Sequence, residues 1–461
     1  MPKCLSDMKV VFRVDASAEL GTGHLMRCLT LADQLSQKKV GCHFVIRKCP
    51  GSLQNLIIDR RHVLHMLPEI SGGADAASLI VANPQSEVSL NYESWLVGGW
   101  ARDAKECLEI ILRIKPDWLI VDHYAIDERW ETAVRHDDLK IMVVDDLANR
   151  THICEVLLDQ NLGRQLADYR GLVPDYCRCL IGPLYALIRP EFAQLRNYSL
   201  ARRNEPALKT IMIGMGGMDK DNITKQVLNT LNSSDLPTDC IIIVVLGSMA
   251  PWLKQIKDVS KKMRYTTKVL VDVTDMAHCM ADVDVAIGAA GGWAWERSVL
   301  GVPSFLILLA ENQRSNVMSL TECGAAQHFD FRSFNLFERD NIRHMAIIAA
   351  SLSEGNGAEK VVQAILFDVQ SDEVSLAPAT ILDCDYIYSL QTQLGVRQFF
   401  LNTNIPDYDE HCCWFQARLS NSNSVTFKIK LGSKAAGTIS VDNLAGENPE
   451  ISIVVSVDVG G

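Results

Sequence analysis

The chain has 461 residues, of which 48% are hydrophobic and 22% charged, and its formal net charge is −11. This length exceeds what one compact core usually holds, so two or three domains are expected, and the composition excludes a chain that is disordered throughout. The negative charge argues against sequence-independent nucleic-acid binding, which needs a basic surface.

Membrane spans, secretion and metal binding are not indicated by the sequence. No apolar run reaches about 18 residues, and the start MPKCLSDMKVVF lacks the long apolar region of a signal peptide. The 14 cysteines are scattered through apolar segments, which is typical of buried thiols in a reducing compartment. The close groupings Cys177-x-Cys179 and Cys412-Cys413 lack the spacing of a zinc site. We therefore expect a cytoplasmic protein without a membrane span, a metal or another cofactor.

The first part of the chain alternates short apolar strands with helices. A strand is predicted over 9–14, followed by a glycine-rich loop and a helix over 25–37 with apolar residues at helical spacing. Further strands are predicted over 42–46, 118–121 and 141–144. This rhythm is typical of a parallel sheet, whose polar strand ends lie at the carboxyl edge where ligands bind.

A second alternating block follows a polar, basic stretch over 196–209, which we interpret as a linker. Its strands are predicted over 210–213, 240–246, 268–271, 285–287 and 304–308. The sequence therefore predicts two similar α/β domains, over 8–200 and 207–365, with a ligand cleft between them.

The alternation of predicted strands and helices ends at a turn-rich segment over 353–358. Beyond it, residues 376–461 are predicted to form a third, α+β unit. Its helix is expected over 410–419 and its strands over 425–430, 437–441 and 451–455.

The densest cluster of candidate functional residues surrounds the loop between the first strand and the first helix. Gly21 and Gly23 permit close backbone approach, and the helix start supplies free N–H groups, so the loop is a candidate anion site. His24 at this helix start is either a general base or a capping or packing histidine. Asp15 and Arg27, which flank the loop, are predicted to contact substrate.

Two further loops follow predicted strands. Tyr124 belongs to a polar triplet that follows a strand, and the alternative to ligand contact is an ordinary strand-end turn. Gly216 and Gly217 lie in a loop that is either a second backbone cradle or a simple tight turn.

The last two candidate loops lie near the end of the second block. Gly291 and Gly292 open a helix that offers N–H donors to phosphate. Glu296 lies one turn into that helix, where it either accepts from ribose hydroxyls or is a solvated charge. The amides of Asn312 and Gln313 either orient a sugar or a water or cap a loop.

Together these segments resemble a known enzyme family far more specifically than any one of them alone. The motifs occur in the order Arg13-Val-Asp-Ala-Ser17, Gly21-Thr-Gly-His-Leu-Met-Arg-Cys28, Val121-Asp-His-Tyr124, Gly182-Pro-Leu-Tyr-Ala-Leu-Ile-Arg-Pro-Glu-Phe192, Gly214-Met-Gly-Gly-Met-Asp219 and Glu311-Asn-Gln313. This pattern resembles the UDP-2,4-diacetamido-2,4,6-trideoxy-β-L-altropyranose hydrolases of pseudaminic acid biosynthesis, over roughly residues 8 to 365. The resemblance implies a GT-B-like pair of Rossmann-like domains, similar to the MurG type of glycosyltransferase, with the active site between them.

The resemblance also implies a reaction and roles for individual residues. The family releases UDP by water attack at the anomeric carbon, without a metal. On this resemblance His24 is the catalytic histidine, and Tyr124 and Asn312 are catalytic residues that lie near the sugar. Glu296 contacts the nucleoside. Arg189, which lies in a matching motif, is expected to contact substrate. Because UDP is a competent leaving group, the enzyme must mainly place one water and neutralise the pyrophosphate, and direct attack would invert the anomeric centre.

The third unit resembles the amino-terminal half of a GNAT N-acetyltransferase. The resemblance rests on Val396-Arg397, Glu410-His-Cys-Cys-Trp-Phe415, the strand at Gly437 and Ile451-Ser-Ile-Val-Val455. The usual Trp-Arg-Asn is replaced by Leu390-Gln-Thr-Gln393, and the sequence stops before the glycine-rich loop that binds the acetyl-CoA pyrophosphate. We therefore expect a partial GNAT-like domain without acetyl transfer.

Two alternatives to hydrolysis remain at the level of the sequence. One is a GT-B glycosyltransferase, which would use the same phosphate-binding loops and the same base to transfer the sugar to an acceptor. The other is a sugar-nucleotide binding module, which would bind the ligand without catalysing a reaction. In each case the expected partner is a UDP-sugar, and neither a nucleic acid nor a membrane.

Overall fold

The structure is a computed structural model in which the chain divides into two compact units, Met1–Leu366 and Phe367–Gly461. The residues that it describes are 4–16, 22–47, 51–68, 92–96, 98–136, 138–204, 208–216, 218–332, 334, 339–366, 374–392, 404–421, 423–431, 434–444, 446 and 449–455.

The first half of the first unit is built on a parallel sheet that has seven strands among the described residues. These are β1 (Lys9–Val14), β2 (Gly41–Ile46), β3 (Val63–Met66), β4 (Trp118–Asp122), β5 (Lys140–Val144), β6 (Val156–Asp159) and β7 (Arg178–Ile181). Their order is β3-β2-β1-β4-β5-β6-β7, and all pairings are parallel. Because the strand order reverses at β1, the carboxyl ends of β1 and β4 border the crevice in which such sheets bind ligands.

Helices cover both faces of this sheet, which explains why β4 and all of β1 after Lys9 are buried on both sides. They are α1 (Gly23–Gln37), α2 (Gly51–Asp59), α3 (Trp100–Ile114) and α4 (Glu128–Val134). The strands and the helix predicted for this block are confirmed.

The second half repeats the same arrangement with a parallel sheet of six described strands. These are β8 (Thr210–Gly214), β9 (Ile241–Leu246), β10 (Thr266–Val271), β11 (Val285–Ala289), β12 (Ser304–Ile307) and β13 (Ala326–His328). Their order is β10-β9-β8-β11-β12-β13, so that β8 and β11 form the second switch point. The helices are α5 (Pro190–Arg202), α6 (Ile223–Ser233), α7 (Leu253–Ser260), α8 (Met276–Ala281), α9 (Gly292–Val299), α10 (Arg314–Glu322), α11 (Arg339–Leu352) and α12 (Gly357–Leu366).

Two helices cross between the halves. Helix α5 precedes β8 in the chain and packs on α8 and α9, and its Phe192 lies in the core of the second half. Helix α12 follows the second sheet and packs on α1, with Val361 and Ile365 in the core of the first half. The sequence-based boundaries at 200 and 365 would place α5 in the first half and α12 in the second. In the structure, α5 completes the core of the second half and α12 completes that of the first.

The predicted linker over 196–209 is wrong in its first part, because 196–202 belong to α5. The basic residues that suggested a loop bind helix ends instead. Arg196 donates to the carbonyls of Val299 and Ala350 at 2.5 and 2.7 Å, and buried Arg203 donates to Val283 O at 2.8 Å. Guanidinium groups that satisfy the free carbonyls of helix termini account for this polar composition.

The second unit contains an antiparallel sheet that has four strands among the described residues, in the order β14-β15-β16-β17. They are β14 (Val374–Pro378), β15 (Ser424–Leu431), β16 (Lys434–Asp442) and β17 (Glu450–Val455), accompanied by α13 (Cys384–Thr392) and α14 (Tyr408–Leu419). The predicted helix and three strands are confirmed, whereas β14 and α13 were not predicted. The GNAT-like assignment stays a prediction.

Short 3₁₀ turns complete the described secondary structure: Leu5–Asp7, Tyr92–Trp95, Leu166–Tyr169, Pro183–Tyr185, Glu311–Gln313 and Ile381–Asp383. Within the described ranges, no helix is long and apolar enough to cross a bilayer.

Candidate active site

The first group of candidate residues meets at the switch point of the first sheet. His24 lies in the first turn of α1, directly after the loop that follows β1, and Asp122 is the last residue of β4. Because β1 and β4 are adjacent and parallel, the start of α1 lies over the carboxyl end of β4. Residues that are 98 positions apart in the chain are thereby brought into contact.

His24 and Asp122 form a hydrogen-bonded pair, with Nδ1 of His24 2.5 Å from Oδ1 of Asp122. A carboxylate only accepts, so Nδ1 carries the proton and donates it to Asp122. The lone pair of the neutral ring is then on Nε2. The side chain of His24 is 13% exposed, whereas that of Asp122 is fully buried. A buried carboxylate that fixes the tautomer of a histidine at a cleft is the arrangement of a general base and its orienting group.

Arg27 lies one turn further along α1 and joins two carboxylates. Its Nε and Nη2 donate to the two oxygens of Asp122 at 2.6 and 2.7 Å, and its Nη1 donates to Asp146 at 2.8 Å. Burial acts to raise the pKa of Asp122, but the charges of Arg27 and His24 outweigh it, so this pKa lies well below its usual range. Asp122 is therefore ionised and accepts the hydrogen bond of His24 as a carboxylate. The guanidinium of Arg27 is committed to these two carboxylates.

Tyr124 connects this centre to the second half of the unit. Its hydroxyl donates to Oδ2 of Asp146 at 2.8 Å and accepts from Nδ2 of Asn312 at 3.3 Å. Burial and the neighbouring Asp146 hold the pKa of Tyr124 well above its ordinary value, so the phenol keeps its proton. Its ring meets that of His24 edge-on, with centroids 4.6 Å apart.

The switch point of the second sheet carries the glycine-rich loops. The ring of Trp293 packs so closely over Gly214 that a Cβ there would lie 2.1 Å from it. Gly216 has φ +79°, a conformation that favours glycine. Gly291 is the N-cap of α9 and offers no capping side chain, so the N–H groups that begin at Gly292 have no side-chain acceptor. Such a helix start is suited to bind an anion.

Glu296 and Arg189 form an ion pair beside this helix start. Nη2 of Arg189 lies 3.0 Å from Oε1 of Glu296, and the arginine also lies over the ring of Phe192. Oε2 of Glu296 is buried and has no hydrogen-bond partner within the described structure. Burial raises the pKa of Glu296, although Arg189 opposes this shift. The free oxygen is an acceptor available to a ligand hydroxyl.

The turn Glu311–Gln313 spans the distance between the two switch points. Asn312 binds Tyr124, and Nε2 of Gln313 lies 3.6 Å from the position that a Cβ on Gly291 would occupy. Oε1 of Gln313 is buried without a partner in the described structure. This turn therefore links Tyr124 at the first switch point to the start of α9 at the second.

Asp15 lies in a buried ion network next to the end of β4, with its Oδ2 3.5 Å from Nε2 of His123. Both Arg13 and Asp15 are buried, and Nη1 of Arg13 lies 2.9 Å from Oδ1 of Asp15, which also accepts the backbone N–H of Arg47. Burial acts to raise the pKa of Asp15, but Arg13 outweighs it and lowers the pKa far below its usual range. The carboxylate holds the end of β1 in place, and its contact with substrate stays a prediction.

The structure thus brings together most of the side chains that the sequence analysis singled out. The predicted residues that line the two switch points and the turn between them are His24, Gly23, Arg27, Tyr124, Arg189, Gly216, Gly291, Gly292, Glu296, Asn312 and Gln313. Gly21 and Gly217 lie outside the described residues.

The sequence-based site contained Asp122 only as a member of the polar triplet 122–124, without its orienting role, and it lacked the bridging Asp146. Both follow the general signal of acidic residues at strand ends, since Asp122 ends β4 and Asp146 lies two residues after β5. That signal does not separate Asp146 from Asp145, which is fully buried and accepts from Ala148 N and Arg150 instead. Within the described part of the chain, no group of three or more potential ligands has the geometry of a metal site.

The chain is similar in sequence to known proteins. The chain is 30% identical to the UDP-2,4-diacetamido-2,4,6-trideoxy-β-L-altropyranose hydrolase of Campylobacter jejuni over 318 residues, which are 69% of this chain and 97% of that protein. It is 23% identical to an uncharacterised protein of Methanocaldococcus jannaschii over 464 residues, which cover 97% of this chain and 86% of that protein. The second likeness therefore extends into the second unit. No protein-family model matches the chain.

Among solved structures, MurG of Acinetobacter baumannii superposes with a TM-score of 0.54 at 15% identity, covering 78% of this chain and 99% of that one. At this identity the likeness concerns the fold. With the two parallel sheets, it confirms the predicted GT-B-like pair of Rossmann-like domains.

Proposed function

Because the chain belongs to the family of UDP-2,4-diacetamido-2,4,6-trideoxy-β-L-altropyranose hydrolases, we propose that it hydrolyses this UDP-sugar to the free sugar and UDP, as a step of pseudaminic acid biosynthesis. The reaction breaks the bond between the anomeric carbon and the pyrophosphate oxygen, and a water oxygen takes its place.

The observation that carries the proposal is the His24–Asp122 pair at the mouth of the cleft. Asp122 holds the proton of His24 on Nδ1, so that Nε2 accepts a proton from the attacking water as the new C–O bond forms. Asp122 stays ionised beside the imidazolium and stabilises its positive charge. Attack from the face opposite UDP inverts the anomeric configuration.

The second half supplies what the departing UDP needs. Negative charge develops on the pyrophosphate as the bond breaks, and the N–H groups at the start of α9 stabilise it without reorganisation. Oε2 of Glu296 accepts a hydroxyl of the ribose, which satisfies its missing hydrogen bond. No general acid is required, because UDP leaves without protonation. The hydroxyl of Tyr124 already donates its hydrogen bond to Asp146 and is not directed at the leaving group in this proposal.

Incubation of the purified protein with the UDP-sugar tests the proposal. We expect UDP and free sugar in equal amounts, undiminished by EDTA, with the inverted anomer formed first as seen by NMR. The outcome against it is UDP release only when an acceptor is added, which would identify a glycosyltransferase with the same fold. Binding without any UDP release would identify a binding module.

A further inference from the structure

Two aromatic side chains near the reactive centre belong to no sequence motif and have no role in the chemistry described above. Tyr92 and Trp95 lie in the turn Tyr92–Trp95, and both are partly exposed. Their ring centroids are 4.7 Å apart and lie 5.1 and 5.8 Å from that of Tyr124. We call Tyr92, Trp95 and Tyr124 the aromatic wall.

The aromatic wall adjoins the proposed base. The ring of Tyr124 meets that of His24 edge-on, so the rings of Tyr92 and Trp95 are each separated from the imidazole by one ring. Tyr92 also lies where the two halves meet. Burial raises the pKa of its phenol, Arg150 lowers it, and the carboxylates of Asp146 and Glu311 raise it further. Asp146 belongs to the first half and Glu311 to the turn of the second half.

The two sides of the cleft therefore differ in chemistry at this point. The first half presents aromatic ring faces, which provide apolar area. The second half presents Asn312 and Gln313, whose amides form hydrogen bonds, and Oε1 of Gln313 has no partner in the described structure. A sugar between them is best bound when it has one apolar face and one polar face.

We infer that Tyr92 and Trp95 select the sugar by its apolar substituents, namely a C6 methyl group in place of a hydroxymethyl group and the methyl groups of its acetamido substituents. This inference rests on the proposed function, because it is the family relationship that places a deoxygenated, N-acetylated sugar beside His24. A methyl group on a ring face buries apolar area, whereas a hydroxyl group there loses its hydrogen bond to water.

Binding measurements in the His24→Ala background test the inference, because the UDP-sugar then stays intact. Calorimetry compares three ligands: UDP, UDP-N-acetylglucosamine, and the trideoxy diacetamido UDP-sugar. We expect Trp95→Ala to weaken the trideoxy ligand about tenfold or more, the effect of losing apolar contacts in a specificity pocket. The affinity of UDP should stay within about threefold. UDP-N-acetylglucosamine has one acetamido methyl group and no C6 methyl group, so its affinity should fall less than that of the trideoxy ligand.

Two further variants and one control complete the experiment. Trp95→Phe keeps an aromatic face and should retain most of the preference for the trideoxy ligand. Tyr92→Ala carries the same expectation as Trp95→Ala, so the test stands if either variant fails to fold. Trp100→Ala is the matched control, because its ring packs over Arg129 in the same half.

Equal weakening of all three ligands would overturn the inference, since it would give the wall a purely structural role. An unchanged affinity for the trideoxy ligand in both truncations would overturn it as well. The proposed function fails separately, if the wild-type protein binds the UDP-sugar but releases no UDP.

Discussion

A single guanidinium organises the charges of the reactive centre. Arg27 bridges Asp122 and Asp146, and through them it fixes His24 on one side and Tyr124 on the other. Because Asp122 is buried, its charge is stable only while these partners are present, and loss of one partner leaves a charge without compensation. The reactivity of His24 is therefore a property of the whole group.

The first prediction concerns the base itself. His24→Ala should lower kcat by about 10² to 10⁴, which is typical for loss of a positioned general base, while UDP still binds. Steady-state kinetics and calorimetry with UDP measure the two effects. His136→Ala, outside the cleft, serves as the control. Turnover within about threefold of wild type would contradict the role.

The second prediction concerns the orienting carboxylate. Asp122→Asn should lower kcat by about 10² to 10⁴, because an amide that donates to His24 favours the wrong tautomer and leaves Arg27 with only one of its two charged partners, Asp146. Asp33→Asn is a matched control, since it breaks a second His–Asp pair, with His62, in the same half. An equal loss in both variants would mean that general destabilisation is the cause.

The third prediction concerns the pH dependence of nucleotide binding. Burial raises the pKa of Glu296, so this carboxyl binds a proton at higher pH than free glutamic acid does. UDP affinity should therefore be highest at neutral pH and fall as the pH is lowered and the acceptor becomes protonated.

Glu296→Gln isolates this effect from the titration of UDP itself. The variant should bind UDP about 10- to 100-fold more weakly at neutral pH, as expected for loss of a charge-assisted hydrogen bond. The ratio of the two affinities, measured by calorimetry from pH 8 to pH 5, should shrink toward acidic pH. A constant ratio would exclude Glu296 as the titrating group.

At the scale of secondary-structure elements, α5 and α12 tie the two halves of the first unit together. Helix α5 follows the strands of the first half and packs in the core of the second, whereas α12 follows the elements of the second half and packs in the core of the first. Gly357, at the start of α12, lies against the turn Pro183–Tyr185 so closely that a Cβ would be 2.4 Å from the carbonyl of Ala186.

The fourth prediction follows from this contact. Gly357→Ala should destabilise the protein by about 1–3 kcal/mol, because backbone atoms must move to admit the methyl group. Gly41→Ala is the control, since its Cβ would meet ordinary contacts of 3.7 Å or more. Thermal unfolding of the two variants decides the matter, and equal melting temperatures would disprove the packing argument.

At the scale of the whole molecule, the first unit contains both switch points and the turn that connects them. Its compact part ends at Leu366, the last residue of α12. The elements that carry the proposed chemistry therefore lie in this unit, whereas the second unit has a small core of its own around Phe415.

The fifth prediction is that deletion of residues 372–461 leaves UDP release within about threefold of the full chain, since domains usually tolerate separation at such boundaries. The same assay on both proteins measures this, and the 461-residue chain should show no micromolar binding of acetyl-CoA by calorimetry. Loss of hydrolysis would mean that the second unit supports catalysis. Acetyl-CoA binding would refute the expectation that the GNAT-like segment lacks a cofactor site.

The sequence by itself determined the two alternating α/β blocks and the positions of the glycine-rich loops. These features depend on local requirements, since hydrophobic periodicity defines strands and helices, and a conformation such as that of Gly216 needs a glycine. For the same reason His24 and Gly292 were recognisable as residues of helix starts.

Only the tertiary structure decided which polar side chain meets which partner. Asp15 and Asp122 both follow apolar strands, yet one joins a buried ion network with Arg13 and the other orients His24. The crossing of α5 and α12 was equally absent from the sequence pattern. The physical reason is that ion pairs and helix packing join residues that are distant in the chain. Composition and residue spacing are local properties, so they do not show which distant residues meet.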